Sequence, residues 1–123
     1  MRLETEPTVS VVIPAFNSAR DIAVALDSVF AQSFDRIEVI VVNDGSDDTE
    51  MLEVALAPYI SRIRYIVQTN QGAGAARNAA LRAARGEYIA FLDADDRWLP
   101  GFLREQVRYL DAHATWGWFM AMR

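Results

Sequence analysis

No cysteine occurs in the 123 residues, which excludes disulfides and thiolate metal sites outright. Histidine is nearly as scarce: His113 is the only one, and its place past the last helical stretch suits the surface better than catalysis. No apolar run approaches the roughly 20 residues that a membrane-spanning helix needs. The opening residues, Met1 to Pro7, are polar and acidic, lack the apolar centre of a secretory signal, and read as a flexible segment. Blocks of Lys or Arg that would hold anionic lipid are missing too. With 17 acidic against 12 basic residues the formal net charge is -5, which argues against a nucleic-acid partner. These absences together read as a soluble chain compatible with a reducing cytoplasm.

What is present is enough to fold. Hydrophobic residues make up 52% and charged residues 24%, an ordinary balance for a domain that buries a core. Short β-branched runs alternate with amphipathic stretches. The first run, Val9 to Ile13, reads as a buried strand ended by Pro14, which cannot donate to a sheet ladder. A helix is expected over residues 19–32, with Ile22, Leu26, Val29 and Phe30 on one face. Further strands are expected at 37–42, 63–67 and 87–92, and a fifth within 116–122. Asp47 with Glu50 has capping-box spacing, so a second helix should start there and run to Tyr59, with Pro58 near its end. An alanine-rich helix should end near Gly86, and a last helix should span 100–112 with Leu103, Val107 and Leu110 inward. Alternation of this kind predicts one α/β domain, a mostly parallel sheet with helices on both faces. Trp98, Trp116 and Trp118 are expected in the core or an interface.

In open α/β sheets, ligands bind beyond the carboxyl ends of the strands. The unusual polar residues fall there: Asn17 after the first strand, Asp44 after the second, Gln71 and Gly72 after the third, Asp93 and Asp95 after the fourth. In a turn-like Asp-x-Asp, two carboxylates can converge on one hard cation such as Mg²⁺ or Mn²⁺, whose shell substrate phosphates and water complete. The plainer alternative is that Asp93 to Asp96 form a turn and cap the helix near Pro100; Asp96 goes mostly to that alternative. Asp44 ends an apolar strand just before Gly45 and can accept an N–H from a nucleobase, or simply make an Asx turn. Asp47 and Asp48 are explained by the helix start alone. Gly72 to Ala76 with Arg77 put small residues and a guanidinium in a first helical turn, which suits an anionic ligand or close packing alike.

These residues carry a resemblance. Val9 to Asn17, then Val41-Val42-Asn43-Asp44-Gly45-Ser46, resembles the opening of family 2 glycosyltransferases of the GT-A fold. So do Asn70-Gln71-Gly72 with Ala76-Arg77-Asn78, and Gly86-Glu87-Tyr88-Ile89 leading to Leu92-Asp93-Ala94-Asp95-Asp96. The resemblance runs over residues 8–112 and implies a Rossmann-like GT-A sheet holding a nucleotide-diphosphate sugar, often UDP-linked, with inversion at the anomeric carbon. It implies that the segment Pro14, Ala15, Phe16 and Asn17 lines the nucleoside pocket, that Asp44 binds the base, and that Arg77 lies near the nucleotide. It further implies that Asp93 and Asp95 hold Mn²⁺ or Mg²⁺, with Asp95 the more direct ligand. Asn43 departs from the pattern, since many members carry Asp there.

No residue matches the carboxylate that serves the family as general base on an acceptor hydroxyl, so no catalytic residue is assigned. Residues 8–123 are therefore expected to be the donor-binding part of a longer transferase, able to bind nucleotide and metal but not to turn over. The full-length protein would take a carbohydrate or lipid-linked acceptor at the inner face of the membrane. The apolar segment 116–122 is expected to leave an edge that favours self-association. Two other readings compete. Gly72-x-Gly74, with Asp93 about 20 residues on, mimics the dinucleotide fingerprint of an oxidoreductase. The other is a non-catalytic nucleotide-sugar-binding module.

Overall fold

Val and Ile are stiff at χ1 and pack well on a pleated surface. In the computed structural model, which describes residues 7–112 and 119–121, runs of them form the middle of a parallel sheet. The strands are β1 (Val9–Ala15), β2 (Ile37–Asp44), β3 (Arg64–Gln68), β4 (Tyr88–Phe91) and β5 (Phe119–Ala121). Their order is β3-β2-β1-β4-β5, and every neighbouring pair is parallel. Between them lie α1 (Ile22–Phe30), α2 (Thr49–Leu56), α3 (Ala73–Ala83) and α4 (Phe102–Ala112), with a 3-10 segment at Ala57–Arg62 following α2.

Both faces are covered. On one, Ile22, Leu26 and Val29 of α1, Leu56 of α2 and Leu103 of α4 join the odd-numbered residues Val9, Val11 and Ile13 of β1. On the other, Ala76 and Ala80 of α3 meet Val12, Ile40, Val42 and Ile89. Methyl side chains let α3 lie close to the sheet. The chain steps outward from β1 to β3, then returns to the far side of β1 for β4, so the order reverses between β1 and β4. Such a reversal opens a crevice at the carboxyl ends of the two strands. Among the described residues no helix is long and apolar enough to cross a membrane.

Several boundaries differ from expectation, each for a physical reason. β1 does not stop at Pro14 but continues to Ala15, pairing with β2 throughout, whereas its pairing with β4 ends at Val12. Val12 turns its carbonyl toward β4, where Leu92 N–H donates to it. Pro14, two residues on, faces the same side after β4 has left, so no ladder bond is lost. β2 runs to Asp44 because Asn43 and Asp44 still register with Val67 and Gln68 of β3. α1 starts at Ile22 and α2 at Thr49, and Asp48 at the α2 N-cap makes no side-chain capping bond. The capping-box spacing of Asp47 and Glu50 is thus unused. The expectations for residues 1–6, His113, Trp116 and Trp118 concern positions outside the described residues, whereas Trp98 is buried.

At the amino end of the sheet, away from the crevice, the half-buried Glu38 of β2 is tied to β1, β3 and the segment after α3. Its carboxylate accepts from Ser10 Oγ, Arg85 N–H and Arg64, and Arg85 adds a salt bridge at 3.5 Å. Burial pushes this carboxyl up, but the Ser10, Arg85 and Arg64 bonds together outweigh that and hold it below the usual range. Gly86 sits beside this knot, donating its N–H to Ser10 Oγ at 2.8 Å. A Cβ at Gly86 would lie 2.6 Å from Ser10 N and 2.8 Å from Val9 C, both backbone atoms. Gly86→Ala should therefore lower unfolding free energy by about 2 kcal/mol, as overpacking does. Chemical denaturation checks it, and an unchanged midpoint would show that the backbone there yields freely.

Candidate functional site

The crevice at the carboxyl ends of β1, β2 and β4 is an open cleft of about 440 Å³. That is within the range of small-ligand sites. Its walls come from three loops and the start of α3. Each wall is built by a different set of hydrogen bonds.

The first wall is the loop from β1 to α1, where Pro14, Ala15, Phe16 and Ser18 line the cleft. Phe16 keeps 47% of its surface exposed, an aromatic face beside the opening. Asn17 does not line the cleft. Its backbone sits at φ 54°, a left-handed conformation that Asn tolerates better than most residues. Asp47 N–H donates to Asn17 Oδ1 at 2.8 Å and Asn17 Nδ2 donates to Asp47 Oδ2 at 3.4 Å. Asn17 N–H donates to Ser46 Oγ at 3.1 Å, and Ala19 N–H to Asp48 Oδ2 at 3.0 Å. The acidic pair after β2 thus holds this loop rather than starting α2.

The second wall hangs on Asp44. This carboxylate is 3% exposed, so its charge must be matched by donors. Oδ1 accepts from Gln68 Nε2 at 2.8 Å and from Gln71 N–H at 2.9 Å, and Oδ2 accepts from Gly72 N–H at 2.9 Å. Burial pushes the Asp44 carboxyl up, but the Gln68, Gln71 and Gly72 bonds together win and hold it below the usual range. The Asx-type contact expected of Asp44 is made one residue earlier, where Asn43 Oδ1 accepts Ser46 N–H at 2.9 Å. Asn43 is fully buried, and its Nδ2 donates to Thr49 Oγ1 and Tyr65 Oη at 3.0 and 2.9 Å. That use of two donors gives a physical reason for an amide at 43. Gly45 is forced by its φ of 65° and by Asn70 N, which would lie 2.5 Å from a Cβ.

Gln71 does not line the cleft either; its backbone serves Asp44, and its side chain donates to Thr69 Oγ1. Gly72 does line it, at φ 98° in the N-cap position of α3. Arg77, one turn into α3, reaches the cleft with its guanidinium 5.9 Å from the Phe91 ring centroid.

The third wall is the acidic turn. Asp93 and Asp95 are exposed and line the cleft, while Ala94 between them is buried and Asp96 N–H closes the turn on Asp93 O at 3.0 Å. Asp96 does not line it; its Oδ1 accepts Arg97 N–H at 3.1 Å. The turn does not cap α4, which starts at Phe102: Leu103 N–H donates instead to Gln32 Oε1 at 3.0 Å. Among the described residues neither the Asp93 nor the Asp95 carboxylate has a salt bridge, and no three His, Cys, Asp or Glu side chains are grouped to hold a metal. The donor set fits a hard divalent ion held by two carboxylates whose remaining ligands come from phosphate and water.

Asp44, Gly72, Arg77, Asp93 and Asp95 are thus brought around one cleft with Pro14 and Ala15, while Asn17 and Gln71 stand behind its walls. Phe16 falls within the segment expected to line the pocket and does line it, whereas Ser18 and Asn70 were not expected there, though each lies beside a residue that was singled out.

The family description "Glycosyl transferase family 2" matches residues 10–121. This chain belongs to that family. The succinoglycan biosynthesis protein ExoO of Rhizobium meliloti is 42% identical over 111 residues, covering 89% of this chain and 32% of that protein. S. aureus TarS (1-349) in complex with UDP-GlcNAc superposes with TM-score 0.75 at 34% identity, covering 87% of this chain and 32% of the other. A mannosyltransferase, PcManGT of Pyrobaculum calidifontis, in complex with GDP-Man and Mn²⁺, gives TM-score 0.76 at 30% identity, covering 85% and 32%. The chain spans 15% to 32% of the length of the curated relatives it matches. Its sheet is that of the GT-A glycosyltransferases. The dinucleotide reading fails in the same light: Gly72 and Gly74 follow β3, a strand at the edge of the sheet, not the one at the reversal.

Asp44 gives this site a pH signature. Its folded pKa lies below its unfolded value, so its stabilisation is complete above about pH 3.9, the ordinary Asp value, and is lost as pH falls through the folded pKa. Asp44→Asn points an amide at backbone donors and should cost about 1–3 kcal/mol at pH 7. The gap from wild type should close in strong acid, as read by urea unfolding across pH.

Proposed function

We propose that this chain is the donor-binding part of an inverting glycosyltransferase that takes a UDP-linked sugar with the help of a divalent ion. One observation carries the reading: the buried anion Asp44, the guanidinium of Arg77 and the exposed carboxylates Asp93 and Asp95 line the same cleft at the sheet's reversal.

Each group has one task in this reading. Asp44 is held ionised and therefore only accepts, so it selects a base with a ring N–H, as uracil and guanine have. Oδ1 already has two partners and Oδ2 one, which leaves a lone pair of Oδ2 for the base. Phe16 offers a ring face to the nucleoside. Arg77 neutralises part of the nucleotide's charge. Asp93 and Asp95 hold the ion, Mn²⁺ or Mg²⁺, which when bound offsets charge building on the nucleoside diphosphate as it leaves. The neighbours solved in complex with UDP-GlcNAc and with GDP-Man and Mn²⁺ support a nucleotide sugar and a metal, and the TarS likeness favours UDP.

Inversion by single displacement needs a base on the face opposite the leaving group. We assign that base, with the site for a carbohydrate or lipid-linked acceptor, to the part of the relatives this chain does not match. The name of ExoO supports a role in polysaccharide assembly. In this reading the isolated 123 residues bind donor and do not transfer sugar.

Calorimetric titration with UDP, GDP and NAD, each with Mn²⁺ and with EDTA, tests it. Mn²⁺ should tighten UDP binding about tenfold or more, roughly 1.4 kcal/mol, and Asp95→Ala should remove that gain. NAD binding indifferent to metal, or an Asp95→Ala variant with the full gain, would sink the proposal.

A further inference from the structure

We propose that Gln32, together with Ser28, is a positioning residue for the acidic turn: it clamps the chain leaving Asp95 onto α1 and so fixes both carboxylates at the cleft. The inference rests on the donor-site reading of Asp93 and Asp95 given above.

Gln32 is 8% exposed and lies just past the end of α1. Its own N–H bonds to Val29 O, so the carbonyl of Ser28 is left without that amide, and Gln32 Nε2 takes its place at 3.1 Å. The second Nε2 hydrogen goes to Leu99 O at 3.0 Å, and Oε1 accepts Leu103 N–H at 3.0 Å. One amide therefore closes the carboxyl end of α1 and satisfies an amide of the first turn of α4, two ends that helices otherwise leave unpaired. One turn earlier on α1, Ser28 Oγ accepts Trp98 N–H at 3.1 Å. Trp98 is buried and stacks on Phe102 with centroids 5.2 Å apart. Three backbone points, at residues 98, 99 and 103, are thus fixed to α1.

Asp95 is three residues before Trp98, so the chain allows at most about 11 Å between them. The turn bond from Asp96 N–H to Asp93 O shortens the lever further. Among the described residues no bond to either carboxylate competes in setting its place. The opposite end of α1 begins at the loop carrying Phe16 and Ser18, the facing wall of the cleft. A nine-residue helix thereby spaces the two walls.

Two variants test this: Gln32→Met, which keeps length but no polar atoms, and Ser28→Ala. Three quantities are read on each: hydrogen exchange of the unliganded protein, UDP affinity in Mn²⁺ and in EDTA, and the thermal midpoint. Gln32→Met should speed exchange across 93–103 about tenfold, while the Gln71 and Gly72 amides bonded to Asp44 stay protected. The Mn²⁺-dependent gain in UDP affinity should fall about fivefold, with affinity in EDTA within about twofold of wild type. Ser28→Ala should move the same readouts by less, and Ser28→Thr, which keeps the hydroxyl, should restore them. A lowered midpoint with unchanged exchange at 93–97 and an unchanged metal gain would make Gln32 a packing residue and overturn the proposal. So would equal weakening in Mn²⁺ and EDTA. If Gln32→Met does not fold, the same outcomes measured on Ser28→Ala support or overturn the clamp. If wild type shows no metal gain, the donor reading is what fails, and exchange at 93–97 alone decides the positioning role.

Discussion

A carboxylate buried at the end of a strand is unfavourable unless donors meet both oxygens, and at Asp44 those donors come from outside its own strand. Gln68 reaches across from β3, while Gln71 and Gly72 give backbone amides from the loop that follows it. The bonds work in both directions. They keep the charge on Asp44, and the charge folds residues 70–72 back over the end of β2. Gly72 is thereby delivered to the N-cap of α3 at a φ of 98°, and Arg77 follows one turn later at the cleft. Without an anion at 44, the loop would keep its amides but lose the acceptor that gathers them.

Asp44 belongs to a stretch, residues 43–48, that also organises the wall after β1. Asn43 satisfies itself within the β2–α2 corner and holds Tyr65, whose hydroxyl donates to Glu53 at 2.9 Å. Ser46, Asp47 and Asp48 bind the loop after β1. Residues 43–48 therefore act as a hub from which both neighbouring walls are hung, and only the acidic turn depends on another element, α1.

How much of this could be read beforehand follows from the range of each interaction. Strands were legible because burial on both faces demands near-continuous apolar runs such as Val39 to Val42. Helix faces were legible because Leu103, Val107 and Leu110 recur at helical spacing. The errors share one cause: a local rule applied where a distant partner decides. Asp47 has capping spacing, yet Asn17, 30 positions away, takes it. Pro14 reads as a stop, yet the strand it would offend has already diverged. The plainer alternative for the acidic turn was a cap for α4, yet Gln32, 71 positions before Leu103, performs that task. Site residues were legible by type and place, as polar groups ending apolar strands. Their division of labour was not, because it depends on which side chains face the cleft and which brace it.

That division explains why the acidic turn is the part of the site most open to a ligand. Asn17, Asn43, Asp47 and Gln71 bond to one another, to neighbouring side chains or to the backbone, so the walls are set before any ligand arrives. Asp93 and Asp95 are exposed, share one cleft and have no salt bridge among the described residues. Two like charges lining one cleft are tolerable in water but repel more strongly as a ligand excludes it, since the interaction grows as the local dielectric falls. A dianionic diphosphate entering the cleft would add to that repulsion, whereas a divalent cation entering with it converts the repulsive set into an attractive one. In the proposed donor-site reading, binding of the diphosphate and of the cation at this turn would on this electrostatic ground be coupled, each raising the affinity of the other by the same factor.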